Sequence, residues 1–154
     1  MKIAAHLEKF DRIDATLGRL DLADDPELWI WTAMSAATHL LNAALHACGA
    51  TRETDSFHTQ AMGLYAVPLR EHGGFRDEMH EPGDVMHVGQ PPISTPLPEA
   101  ISGACAALQI LEELRETHVR GSEPIPPGAA ERWSVAYASC VQGLQAALTE
   151  AGGS

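Results

Sequence analysis

Residues 28 to 51, LWIWTAMSAATHLLNAALHACGAT, form the longest charge-free run in this acidic chain, and the polar groups inside the run are ordered. Thr32, Ser35, His39, Asn42 and His46 recur in steps of three and four, which at ~100° per residue gathers them into an arc of about 80° on one helix. Ile30, Met34, Leu40, Leu41, Leu45 and a row of alanines fill the rest of the circumference. A solvent face would carry Lys and Glu. A stripe of neutral Ser, Thr, Asn and His instead predicts a polar seam facing protein, a ligand or a like subunit. The run is long enough to span a bilayer, yet six of the twenty residues from 28 to 47 are polar, so the central helix of a bundle is expected.

The 154 residues suffice for one domain with its own core. A net charge of -11, with no basic cluster to offset it, opposes binding to nucleic acid or an anionic membrane. Glu8 and Lys9 interrupt the place where an export signal needs its apolar stretch, so the expected location is cytoplasmic. Cys48, Cys105 and Cys140 lack CxxC spacing and read as reduced residues in or beside the core.

Ile3, Leu7, Phe10, Ile13, Leu17 and Leu20 predict a first helix over about residues 2–20. Asp25 as cap, Pro26 at the first position and Gly49 beyond the end place a second at 26–48, antiparallel to the first. Pro96 and Pro98, with Thr95 as cap, open a third at 97–119, ended by Gly121 with Glu116 and Arg120 as an i,i+4 pair. After PIPPG a fourth, at 128–149, carries Trp133, Tyr137, Cys140, Val141, Leu144 and Leu148 on one face. The expected fold is thus all-α, a four-helix up-down bundle with a long, partly ordered loop between helices 2 and 3. No run alternates long enough to build a sheet, although Tyr65 to Leu69 can pair locally. The 52–95 segment is rich in Gly, Pro and acids yet contains Phe57, Leu64, Tyr65, Val67, Phe75 and Val88, and is expected to cover the bundle as a lid.

Across a short hairpin His6 falls opposite His39 and Leu40, and Asp14 lies near Thr32. His6 and Asp14 both sit on the apolar arc of Leu7, Phe10 and Leu17. The ligand-pocket candidates are therefore His6, Asp14, Thr32, Ser35, His39, Asn42 and His46, with Asp14 orienting one histidine. The same residues also read as structural histidines bonded to Asn42 and loop carbonyls, since His39 and His46 stand ~10.5 Å apart along the axis, too far to share a metal. In the loop, His72, His80, Asp84 and His87 have ligand chemistry suited to zinc, iron or manganese, but neither HExxH nor a Glu-x-x-His pair is present. No nucleophile-elbow spacing and no Gly-rich phosphate loop occurs.

Arg52-Glu-Thr-Asp-Ser-Phe-His58 places five residues between Arg and His. The string resembles the Arg-x4-6-His signature of HEPN ribonucleases, an all-helical and commonly dimeric family. That resemblance implies RNA cleavage by Arg52 and His58, whereas Glu53 stands where the family often has Asn and the chain's charge opposes RNA. From the residues themselves, the leading expectation is a homodimeric protein that binds a small molecule or its own like subunit through the helix-2 seam. A metal-assisted or general acid/base enzyme using helix-2 and loop histidines is the alternative. Any cofactor, including a metal, remains open.

Overall fold

A computed structural model describes residues 1–55, 63–69, 73–80, 83–86, 91, 93, 95–113 and 115–153, without the side chains of 63–68, 78–80 and 116. Four helices, α1 (Ile3–Leu17), α2 (Pro26–Ala47), α3 (Glu99–Glu113) and α4 (Ala129–Gly152), pack as an all-α bundle in which α2 touches the other three. The alanines of α2 explain its central place. Ala33, Ala36, Ala37 and Ala43 are, like Ile30, Leu41 and Leu45, 0 % exposed, so neighbouring helices approach a thin, apolar rod from several sides. Its first turns emerge from the core, with Leu28 and Trp31 exposed.

The helix ends follow local chemistry. No acid lies in the first turn of α1, and the Glu53 carboxylate supplies one from outside, accepting the Ile3 N–H at 2.8 Å. α1 ends at Leu17, short of the expected residue 20, in tight i→i−3 turns around Gly18. Pro26 opens α2 as expected, but the Asp25 side chain makes no cap bond; its carbonyl receives the Trp29 N–H instead. At the other end Gly49 adopts φ 75° and Ala50 N–H reaches back to Leu45 O at 3.0 Å, a Schellman closure.

α3 and α4 run antiparallel and close. A Cβ at Gly143 would stand 3.1 Å from the Ala100 carbonyl oxygen, so a side chain there would force the helices apart. α3 begins after Pro98, and the expected 97–119 helix changes winding near its end into a π-helical turn, Arg115–Val119. Arg115 and Arg120 lie over the Trp31 ring at 5.5 and 5.3 Å, tying that turn to α2. The Glu116 side chain of the expected Glu116–Arg120 pair lies outside the described residues.

Between α2 and α3 the chain forms an antiparallel hairpin of β1 (Gly63–Pro68) and β2 (Phe75–His80), in register from Gly63 opposite His80 to Pro68 opposite Phe75. A two-stranded ribbon needs only a turn tolerating positive φ, provided by Gly73 and Gly74 at 66° and 85°, and not the long alternation of a one-face-buried sheet. Past the hairpin, Gly83, Asp84 and Val85 are buried. This short stretch positions the site. No helix among the described residues is long and apolar enough to cross a membrane.

Candidate functional site

The Asn42 carboxamide explains how an irregular segment is held against α2. Its Oδ1 accepts the Val85 N–H at 2.7 Å, and its Nδ2 donates to Val85 O and to Thr38 O, both at 2.9 Å. The side chain pairs with the Val85 backbone as a neighbouring strand would, satisfying two buried main-chain groups. That clamp drives Asp84 into the seam between α1 and α2.

There, the Asp84 side chain has no solvent exposure and becomes the common acceptor of a cluster. His6 Nε2 lies 2.7 Å and His46 Nε2 3.0 Å from Asp84 Oδ1, and the Met1 amine donates to Oδ1 at 2.7 Å and Oδ2 at 2.6 Å. Thr54 Oγ1 accepts a further bond from that amine at 2.8 Å. Two outer contacts complete the chain: His6 Nδ1 to His39 Nδ1 at 3.0 Å, and His46 Nδ1 to Thr51 Oγ1 at 2.6 Å. The His6 ring centroid stands 5.3 Å from those of both His39 and His46.

One buried carboxylate fixes every tautomer in this cluster. An ionised Asp84 can only accept, so His6 and His46 both present Nε2–H to it. Their Nδ1 atoms then carry lone pairs. Thr51 must donate its hydroxyl proton to His46, and His39 must donate its Nδ1–H to His6, which leaves His39 Nε2 as an acceptor. Burial favours the neutral ring at His6 and at His39. It holds the His6 pKa below its usual value against the opposing pull of Asp84, and lowers that of His39 from 6.5 to about 4, with His6, Lys9 and Arg12 adding to the effect. The Met1 ammonium pairs with the Asp84 charge at 2.6 Å.

His39, half-buried, also lines a cleft of about 390 Å³. Lys9 and Arg115 bring positive charge to it, Ser35 and Thr38 hydroxyls, and Trp31, Met34 and Met86 apolar surface. Among the described residues none that lines it is acidic, in a chain of net charge -11. Met1 belongs to both places, lining the cleft while its amine bonds Asp84.

The helix-2 stripe divides in the structure. His39, Asn42 and His46 face the cluster, while Thr32 and Ser35 return their hydroxyls to Leu28 O and Trp31 O at the surface end, both at 2.7 Å. Among the described residues Asp14 bonds no histidine; it accepts the Tyr137 hydroxyl at 2.7 Å, with the Tyr137 ring edge-on to Trp29. Burial, helped by that bond, pushes the Tyr137 phenol well above its ordinary pKa. Of the loop candidates only Asp84 is described in full. His72 and His87 lie outside the described residues, as does the His80 side chain. His58 of the HEPN-like string lies outside them too, and Arg52 is exposed. Buried Cys105 and Cys140 have thiols pushed up to about 11 and about 12 by desolvation, which keeps them protonated.

No family model, curated protein or solved structure matches the chain.

Three features were beyond the sequence pattern. The terminal amine and Thr51 carry no motif, and Lys9, Trp31 and Arg115 meet only through the packing of three elements. Asp84 did leave a signal: a seam of three histidines and an amide needs an acceptor, and an acid beside Val85 in the covering segment was available.

Proposed function

We propose that the protein binds a small, anionic, partly apolar molecule in the cleft beside His39, with His39 Nε2 accepting a proton or hydrogen bond from it. The observation that carries this is the chain His39–His6–Asp84. A buried carboxylate, reached through one histidine, sets the tautomer of a second histidine at the edge of a cleft. Such a chain orients a ring as a base or acceptor more firmly than packing alone. The Lys9 and Arg115 charges favour a carboxylate or phosphate group, while Trp31, Met34 and Met86 suit an apolar body.

A thermal-shift screen of small carboxylates and phosphate monoesters, each with an apolar substituent, tests the proposal. A ligand at a hundred times its Kd adds about 2.7 kcal/mol to native stability, an easily seen shift. Lys9→Ala and His39→Gln should both abolish the shift while retaining helical circular dichroism. A ligand that shifts the parent and both variants equally binds elsewhere and contradicts the proposal.

A further inference from the structure

We propose that His6, His46 and Asp84 constitute a binding site for a divalent transition-metal ion of the zinc class. The two Nε2 atoms and a carboxylate oxygen lie within 4.8 Å of one another, and all three residues are buried. Ligand atoms around tetrahedral zinc stand ~3.3 Å apart, given bonds of about 2.0–2.2 Å. The histidine–carboxylate contacts, now 2.7 and 3.0 Å, have to open slightly as the carboxylate turns, while the widest separation, within 4.8 Å, has to close as the two rings tilt together. Two imidazoles with one carboxylate suit zinc and its first-row neighbours better than magnesium or calcium, which take all-oxygen sets.

The surroundings already match what ligating histidines require. A histidine bound through Nε2 hands its Nδ1–H to a second-shell acceptor, and here Thr51 Oγ1 stands 2.6 Å from His46 Nδ1 and His39 Nδ1 3.0 Å from His6 Nδ1. The ligands come from α1, α2 and the 83–85 segment, so no short motif announces them. Sequence spacing compared His39 with His46. The pair that converges is His6 with His46, across the hairpin. Three protein ligands leave a fourth position, and the ion would neutralise Asp84, which the Met1 ammonium does in this structure.

Ligation also has a consequence at the cleft. The His6 proton moves from Nε2 to Nδ1 and points at His39 Nδ1. His39 then carries its proton on Nε2, so that its outer edge changes from acceptor to donor. Metal occupancy thereby reverses the hydrogen-bond polarity offered to a cleft ligand. This last step rests on the cleft proposal; the metal site does not.

The test is titration of chelator-stripped full-length protein at neutral pH with Zn²⁺ by calorimetry and with Co²⁺ by visible absorption. One ion per chain is expected, with cobalt bands of a low-coordinate nitrogen and oxygen site. His46→Gln and Asp84→Asn should each weaken binding by more than the roughly 10- to 100-fold typical of second-shell changes, while His39→Gln keeps one ion per chain. His46→Gln decides the matter should Asp84→Asn not fold. Absence of stoichiometric binding, or parent-like affinity in His46→Gln, overturns the metal site. Either result leaves the ligand screen of the stripped protein unaffected, so the two proposals fail separately.

Discussion

Replacing Asp84 with alanine removes the one acceptor on which the cluster converges. Among the contacts on its two oxygens are two from the Met1 ammonium and one each from His6 and His46. Both histidines stay buried, and the ammonium loses its counter-charge. Breaking one side of a buried ion pair costs ~3–5 kcal/mol. The amine can regain water through the cleft that Met1 lines, which places the expected loss near the lower end, about 3–4 kcal/mol. For a chain of this length that is a fall in Tm of roughly 6–16 °C. Urea unfolding followed by circular dichroism measures it. A cycle with His46→Ala should give a coupling of ~1 kcal/mol or more, since the two residues share a bond. An Asp84→Ala protein with the parent's urea midpoint would refute the convergence.

Other expectations follow from the same packing. Ala37, 0 % exposed on α2, leaves no room for a larger group, so Ala37→Leu should cost ~1–3 kcal/mol by overpacking, read from the urea midpoint. Asn42→Ala strands the Val85 N–H and carbonyl and should cost about 2–3 kcal/mol, with faster amide exchange at Val85. His39 titrates near 6.5 unfolded and near 4 folded, so the unfolded chain binds more protons in between; stability is full above about pH 6.5 and falls toward pH 4. Discounted for the ring's partial exposure, that loss is roughly 2 kcal/mol, and His39→Gln should flatten the urea-midpoint profile between these values. Limited proteolysis should cut first at the exposed Gly73–Gly74 turn; first cleavage inside 30–45 would contradict a central α2.

The helices were legible because their signals are local. Pro26, Gly49 and Pro98 mark ends, and the i,i+3/i+4 rows of α1 and α4 mark the buried faces. The hairpin register was legible as well, since two helices joined by a short turn must run side by side, and His6 does meet His39. What could not be read was the partner of that meeting. Asp14 lies on the correct face of α1, but Tyr137 from α4 reaches it first, a contact 123 residues apart in sequence. Asp84 enters the seam because Asn42 grips the Val85 backbone, and a side-chain-to-backbone bond of that kind leaves no periodic trace. Ser35 shares the cleft with His39, but Thr32, with the same spacing, does not line it, because periodicity gives an angle around the helix axis and not the depth of cover along it.

Asp84 sets the proton positions of three histidines, and long-range ¹⁵N–¹H correlation of the chelator-stripped protein at neutral pH reads those positions directly. Expected are His6 and His46 protonated on Nε2 and His39 on Nδ1, with the His6 and His39 rings neutral. Finding His39 protonated on Nε2, or His6 as an imidazolium, would contradict it.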